Sequence, residues 1–269
     1  MKQFVLAAAV ALFATSVSAQ AFRKYKISFR TNPNIGWMVP QNNNLESVGS
    51  SLSFGFGVST DILFTENYAI GTGLNFERMG GKLNYFAEVT ESDGTNNPPL
   101  HIVDRERVFS LRYIEIPLTL KLRTSEIGYV TYWGQFGFGL GVNWRATASD
   151  VDDYRHSNLA GGANDWGPAL DESSTYPSVT TENIDIQEEV RRFRASLIVG
   201  GGVEYSLSGT TSLVLGVTVN NGFINVFNTN AEGIERNADD EVVEDSRGLK
   251  TFDLKATNNT IGLTVGLLF

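Results

Sequence analysis

Hydrophobic and polar residues alternate along most of this chain. The pattern is clearest in 261–269, where Ile, Leu, Val, Leu and Phe occupy one phase and Gly, Thr and Gly the other. Because successive side chains of a β-strand point to opposite faces, each such segment predicts a strand with one apolar and one small or polar face. We place the predicted strands at 25–39, 51–64, 68–76, 108–123, 129–144, 193–207, 212–223 and 249–269.

The connections between these strands alternate between long and short. Short turns occur at Thr65, Thr124 and Ser208. Outer-membrane barrels have an even number of strands, short periplasmic turns and longer external loops. The pattern therefore predicts an all-β fold: an eight-stranded antiparallel up-and-down transmembrane β-barrel with both termini periplasmic. Its external loops would be the polar segments near residues 40–50, 79–107, 145–190 and 228–248, of which 145–190 is the largest.

The amino terminus has the pattern of a secretory signal peptide. Lys2 supplies a positive charge, residues 4–14 form an apolar run, and residues 16–19 end in small residues. The run is too short to span a bilayer as a helix, and a buried helix would be out of place in a chain otherwise read as strands. We predict a cleaved signal peptide at 1–19 and a barrel domain at 20–269.

Composition narrows the function classes. The formal net charge is −9, and loss of Lys2 with the signal peptide would make it −10. An acidic chain without clustered Lys and Arg disfavours nucleic acid as a partner. There is no cysteine, so neither disulfides nor thiol chemistry are available. A soluble lipocalin-like barrel is the rival fold, but it would expose the glycine-rich phase to water and crowd large aromatics into a narrow interior.

Two irregularities are predicted within the strands. Pro33 cannot donate to a strand ladder, which predicts a bulge or a late start in the first strand. The first and last strands must pair to close the barrel, so we expect that seam to be its weakest part. In the fourth strand the apolar phase of Phe109–Tyr113 is opposite to that of Ile114–Leu122, which predicts a β-bulge near Tyr113.

Three segments resemble a known family. They are the Tyr-Ile-Glu-Ile-Pro run ending at Pro117, the Gly-Phe-Gly-Leu-Gly run ending at Gly141, and the Gly-Gly-Gly-Val-Glu-Tyr run ending at Tyr205. They are similar to strands of the PorT-like outer-membrane β-barrel family of Bacteroidetes-type bacteria. The resemblance covers most of the mature chain and implies an outer-membrane location. It also implies a role in secretion of proteins to the cell surface, and it supplies no catalytic residues.

Charged residues recur in the phase that would face the lumen. An eight-stranded barrel has an interior that side chains fill, so these charges predict a paired, packed plug. A narrow ion or solute path gated by the same charges is the alternative. The predicted lumen charges are Arg30, Asp61, Glu77, Arg112, Glu115, Lys121, Arg192, Arg194 and Glu204.

Catalytic and metal-binding patterns are sparse. His101 and His156 fall in predicted loops, and His156 lies near Ser157 and Asp150, Asp152 and Asp153, an arrangement that sequence spacing alone cannot make a catalytic triad. The acidic runs at 150–153 and 239–245 lack EF-hand spacing. Trp37, Trp133 and Trp144 fit aromatic girdles near strand ends.

These observations predict no catalytic residue, no cofactor, no metal and no enzymatic activity. We expect a monomeric barrel in outer-membrane lipid with a structural or interaction role, partnered by secretion or envelope proteins. A small pore, a lipid-modifying enzyme and a surface adhesion protein are the alternatives, because exposed loops on a rigid scaffold suit recognition.

Overall fold

The computed structural model describes residues 24–90, 100–157, 166–169, 178–237, 242–245 and 248–269. The predicted signal peptide at 1–19 lies outside these ranges. No helix in the described part of the chain is long and apolar enough to cross a membrane. The strands of these ranges are β1 (Tyr25–Pro40), β2 (Glu46–Leu63), β3 (Tyr68–Thr90), β4 (Leu100–Arg123), β5 (Val130–Ser157), β6 (Trp166–Ala169), β7 (Val179–Asp185), β8 (Phe193–Ser208), β9 (Thr211–Gly222), β10 (Glu232–Ile234), β11 (Glu244–Asp245), β12 (Gly248–Leu249), β13 (Thr251–Asp253) and β14 (Ala256–Leu268).

Eight of the described strands close into an antiparallel ring. Each of β1, β2, β3, β4 and β5 pairs with the next, β5 pairs with β8, β8 with β9, β9 with β14, and β14 returns to β1. This arrangement confirms the predicted eight-stranded antiparallel barrel. A closed ring leaves no edge strand in the wall, which is the condition for crossing a bilayer with strands.

An apolar belt surrounds the outside of the ring. Its side chains are the outward-facing residues of all eight ring strands, and many are about half exposed, such as Leu118 at 59% and Phe138 at 55%. On β4 the belt consists of Ile114, Ile116, Leu118, Leu120 and Leu122, as the alternation predicted. Exposed apolar side chains in a continuous band face lipid in a transmembrane barrel.

The long strands continue beyond this belt. β3 has 23 residues, β4 has 24 and β5 has 28, whereas roughly ten residues suffice to cross the membrane. The extra length carries the ladders into a second region, which we call the crown. It comprises β3 from Gly80, β4 up to Leu111, β5 from Arg145, the strands β7, β10 and β13, and the adjoining segments that pack on them.

The crown has an apolar core of its own. Met79, Leu83 and Tyr85 of β3 and Phe109 and Leu111 of β4 are buried in it. The other members of this core are Met38, Leu45, Ala87, Val103, Tyr113, Ala146, Ala148, Ile186, Val190, Val226, Phe227, Ala231, Leu254 and Ala256. Segments 79–107 and 145–190 are therefore not simply polar loops as predicted, because much of each is hydrogen-bonded strand with one buried apolar face.

The predicted bulge lies on the neighbouring strand. Arg112 pairs with Arg145 and Tyr113 with Asn143, so Trp144 of β5 is the extra residue. β4 itself keeps its phase, and Phe109, Leu111 and Tyr113 point inward like Glu115. The apolar phase of β4 switches because the surroundings invert: the interior is polar within the belt and apolar within the crown.

The seam between β1 and β14 is regular. Its register keeps the same offset from Ser28 opposite Leu268 to Pro40 opposite Ala256, although Asn32 and Pro33 have no ladder partner on β14. Ile27 and Phe269 exchange both backbone hydrogen bonds, at 3.3 and 2.8 Å. The prediction of a bulge or late start at Pro33 is wrong, because Pro33 pairs in register with Phe54 of β2. The expectation that the seam is the weakest part stays a prediction.

Candidate functional site

A charged cluster fills the half of the lumen nearest the short turns. Lys121 of β4 donates to Asp61 Oδ2 at 2.6 Å and to Glu204 Oε1 at 2.9 Å. Arg123 also pairs with Glu204, and Arg30 Nη2 lies 3.7 Å from Asp61 Oδ1. These residues come from β1, β2, β4 and β8, so the cluster ties four of the ring strands together across the interior.

A second network lies at mid-barrel. Arg194 Nη1 donates to Glu115 Oε2 at 2.9 Å, and Arg194 Nη2 donates to Asn220 Oδ1 at 2.9 Å. The Asn220 amide donates in turn to Glu115, and Asn32 Nδ2 donates to Glu77 Oε1 at 3.2 Å. The Arg194–Glu115 pair offsets part of the desolvation penalty of its two charges, whereas Glu77 has the Asn32 hydrogen bond and no ion pair within the described residues.

Strands β1 and β3 come into close backbone contact at the crown end of the lumen. Gly36 of β1 lies so close to Gly80 of β3 that a Cβ at Gly36 would stand 2.6 Å from the Gly80 carbonyl oxygen. Asn258 of β14 donates its side-chain amide to the same carbonyl at 2.8 Å. Only glycine permits this approach, because any other residue at position 36 would push the two strands apart.

The enclosed space left in the lumen is small. A cavity of about 60 Å³ lies among Arg30, Asn32, Asp61, Glu77 and Glu115. It is bounded by the cluster around Lys121 on one side and by the Gly36–Gly80 contact on the other. A volume of this order holds a few water molecules. The described lumen is therefore largely filled by side chains, and most of its charges are paired.

The structure corrects two of the predicted lumen charges and one predicted girdle residue. Arg112 and Arg192 face outward, Arg112 because β4 has no bulge and Arg192 because it precedes β8 on the exposed surface. The remaining seven predicted lumen charges line the interior. Trp133 is buried inside the lumen, with the Lys121 ammonium 5.3 Å from its ring centroid, whereas Trp144 faces outward.

A further set of ion pairs locks the crown. Arg107 donates to both carboxylate oxygens of Asp150 at 2.7 Å and to Glu189 Oε2 at 2.8 Å. Arg105 forms the same bidentate contact with Asp152 at 2.7 Å. Bidentate arginine–carboxylate pairs fix geometry as well as charge, so they hold β4 and β5 in register beyond the belt.

The environment of these crown groups shifts their protonation equilibria. Burial alone would lower the pKa of Arg107, but its hydrogen bonds to Asp150 and the nearby charges raise that pKa above its usual range. Burial raises the pKa of Glu189, and the neighbouring Arg107 offsets only part of this effect. Burial also raises the pKa of the Tyr85 hydroxyl to about 12.

The candidate catalytic and metal residues are not brought together. The His101 ring packs edge to face against the Tyr154 ring, with 5.4 Å between the ring centroids. The side chain of His156 lies outside the described residues. Asp150 and Asp152 are engaged by arginines, and Asp153 accepts a hydrogen bond from Ser178. Among described residues no group of His, Asp and Glu is arranged to hold a metal ion. Residues 239–241 lie outside the described ranges.

Sequence reasoning missed the crown pairs Arg105–Asp152 and Arg107–Asp150. The available signal was the phase inversion at Tyr113, which an apolar core beyond the belt produces as well as a bulge does. The apolar residues Leu83, Tyr85 and Ala87 alternate at strand spacing within the segment assigned to a polar loop. Such a run indicates continued pairing when its neighbours carry charges of opposite sign.

A family model agrees with this architecture. It is described as an outer membrane protein β-barrel domain and matches residues 15–228. Among solved structures, Ail, the attachment invasion locus protein of Yersinia pestis, is 13% identical over 91% of this chain and 99% of that chain, with a TM-score of 0.34. Neisserial surface protein A is 10% identical over 91% and 99%, with a TM-score of 0.35. The outer membrane protease OmpT of Escherichia coli is 11% identical over 94% and 99%, with a TM-score of 0.32. A search of curated proteins found no match.

Proposed function

Since the chain belongs to the family of outer membrane protein β-barrel domains, we propose that it is an interaction protein that presents its crown to a protein partner. The observation that carries this proposal is that the barrel combines a filled lumen with a projecting crown that has its own packed core. A barrel of this kind anchors and orients a surface, and the surface itself makes the contact. Recognition surfaces on rigid scaffolds bind with little loss of conformational entropy.

The proposed orientation places the crown outside the cell and both termini in the periplasm. It is supported by the short connections that follow β2, β4 and β8 and by the long excursions at the opposite end. Protease treatment of intact cells tests it: cleavage restricted to the crown side supports the orientation. Cleavage at the turn around Glu126 in sealed cells would reverse it.

We propose that the partner belongs to a secretion or envelope assembly, as the PorT-like resemblance implies. Direct contact with a host, ligand or neighbouring cell is the second candidate, and the projecting crown favours it equally. Gene deletion followed by measurement of secreted cargo separates the two. If the protein acts in secretion, the deletion should cause cargo to accumulate in the periplasm. If it acts in surface contact, the deletion should leave secretion unchanged and lower the binding of cells to their target.

A matched pair of substitutions locates the contact. Strand β7 lies on the crown with its residues largely exposed, and Glu182 is among them. Glu182→Arg reverses a charge there, and Glu126→Arg makes the same change at an exposed turn on the opposite end. The proposal expects Glu182→Arg alone to reduce partner capture or cell binding. Equal effects of both variants would count against a crown contact.

A pore and a lipid-modifying enzyme remain the alternatives from other classes. The described lumen disfavours a pore, because most of its charges are paired and the cavity among them is only about 60 Å³. We expect no enzymatic activity. Deacylation of lipid A or an ester by purified protein, abolished by His156→Ala, would establish an enzyme instead.

A further inference from the structure

Three arginines form an unpaired row on the outer surface of the barrel. Arg78 of β3 is the ladder partner of Arg112 of β4, and Arg112 is the partner of Arg145 of β5. Adjacent strands are about 4.8 Å apart, so the three side chains start from a stripe of roughly 10 Å. Like charges directly opposite each other on a sheet are destabilising. An arrangement that repels itself calls for an anion to neutralise it.

No protein group supplies that anion within the described residues, where no carboxylate forms an ion pair with any of the three. Arg78 Nε donates to the Ser110 hydroxyl at 2.9 Å, and the Arg112 guanidinium lies 5.7 Å from the Trp144 ring centroid. Arg78 and Arg145 are exposed, and Arg112 is partly so. These contacts orient two of the guanidinium groups and neutralise none of them.

The crown cations that follow the row on β3 and β4 are paired, unlike the row itself. Arg105 and Arg107 bind Asp152 and Asp150, and Lys82 donates to Glu106 at 2.9 Å. Lys82 and Glu106 are outward-facing. Lys82 lies four residues beyond Arg78 on β3, and Glu106 lies six residues before Arg112 on β4. The chain therefore supplies acidic partners just beyond the row and none at it.

The position of the row identifies its occupant. Phe76 precedes Arg78 by two residues on the same outward face, and Ile114 follows Arg112 by two. Arg192 is also exposed here: its carbonyl accepts the Asn143 N–H at 2.7 Å, and the next residue, Phe193, is 72% exposed. The arginines thus lie at the boundary where the apolar belt ends and lipid headgroups begin. Basic clusters at such a boundary attract anionic headgroups, and the planar guanidinium binds phosphate oxygens two at a time.

We propose that Arg78, Arg112 and Arg145 form a binding site for the phosphate of a lipid headgroup in the leaflet on the crown side. The proposal rests on the membrane placement of the barrel and is independent of the interaction role above. Lipid binding here would fix the depth and rotation of the barrel, since the row covers only the β3–β4–β5 side of the ring.

Native mass spectrometry of the folded, detergent-purified barrel tests the site. Dimyristoyl phosphatidylglycerol is titrated against dimyristoyl phosphatidylcholine, and retained lipid is counted for wild type and for Arg78→Gln/Arg112→Gln/Arg145→Gln. We expect the wild-type barrel to retain phosphatidylglycerol in preference to phosphatidylcholine. The triple variant should retain at least fivefold less phosphatidylglycerol than wild type. The control Lys24→Gln/Lys250→Gln/Lys255→Gln removes the same charge at exposed positions outside the row and should retain wild-type binding.

Additional arms make the outcome decisive. An equal loss in the lysine control would show general electrostatic attraction and overturn the site. Displacement of the lipid by equimolar inorganic phosphate would identify a free-anion site and overturn the lipid assignment. Heat-dependent gel mobility verifies folding. If the triple variant does not fold, the single Arg145→Gln change should still lower retention, and unchanged retention would refute the proposal.

Discussion

At the scale of single residues, the crown depends on charges that neutralise one another out of contact with water. Arg107 and Asp150 leave 7% and 2% of their side chains exposed, and Glu189 completes the group. Breaking a buried ion pair by removing one partner leaves an uncompensated charge. Such pairs make the crown sensitive to substitutions that a surface ion pair would tolerate.

We expect Asp150→Asn to destabilise the crown by about 3–5 kcal/mol, because Arg107 would keep its charge without its bidentate partner. Trypsin should then cleave after Arg105 and Arg107, which the intact ladder protects. Asp153→Asn, a chemically identical change at a residue that pairs with no arginine in the described part of the chain, should alter stability by less than about 0.5 kcal/mol. Crown cleavage that is the same in both variants would contradict this role of Asp150.

Tyr85 makes the stability of the crown fall as the pH rises through the alkaline range. Its folded pKa of about 12 exceeds the ordinary value of 10, so the unfolded state releases this proton first as pH rises. The stabilisation is fully present below pH 10 and is lost between pH 10 and 12, at about 1.4 kcal/mol per pH unit. Proteolytic half-life of the crown measured across this range should fall in wild type and fall less in Tyr85→Phe. Identical profiles would rule out Tyr85 as the source.

Residue roles were predictable only where the surroundings stay constant along a strand. Alternation assigned Asp61, Lys121 and Glu204 correctly to the lumen, because β2, β4 and β8 keep a polar interior there. The same rule failed for Arg112. Alternation gives two faces but not which face is inside, and near Tyr113 the apolar face changes from outside to inside.

At the scale of elements, the regularity of the seam is the finding that sequence could not supply. Pro33 lacks an N–H, yet the ladder continues past it in unchanged register on both sides of β1. Strand identity was predictable from alternation in each strand separately. Register depends on contacts between strands far apart in sequence, and one-residue slips change every facing pair.

Cross-linking tests the seam register. Ser28 and Leu268 face each other next to the hydrogen-bonded pair of Ile27 and Phe269, so they form the closer, non-hydrogen-bonded kind of pair. Ser28→Cys/Leu268→Cys should form a disulfide on oxidation. The oxidised protein, heated without reductant, should then migrate on a gel as a cross-linked form, and its mobility should change when reductant is added.

The chain has no cysteine of its own, so only the introduced pair can react. Ser28→Cys/Val265→Cys is the matched control, because Val265 pairs with Thr31 and a three-residue offset of roughly 10 Å is too long for a disulfide. Cross-linking in the control but not in the first variant would show a shifted register.

At the scale of the whole molecule, the barrel and the crown have opposite distributions of apolar and charged residues between inside and outside. Within the belt the outside is apolar and the interior charged, whereas in the crown the interior is apolar and the charges lie outside or in sealed pairs. Alternating connection lengths made the strand number and closure predictable. The crown was not, because its buried residues are scattered among acidic and polar ones over 79–107 and 145–190 and join only through long-range pairing.

Sealing of the lumen at two levels predicts that the protein does not conduct. The cluster of Lys121, Asp61 and Glu204 occupies one half, and the apolar core of the crown together with the Gly36–Gly80 contact fills the interior towards the crown. Purified barrel in a planar bilayer should therefore show no stable, large conductance steps. Lys121→Ala/Asp61→Ala/Glu204→Ala removes the charged cluster and should remain non-conducting, because the backbone contact is untouched. Stable steps in wild type would refute the sealed lumen, and steps in the triple variant alone would show that the backbone contact does not close the barrel by itself.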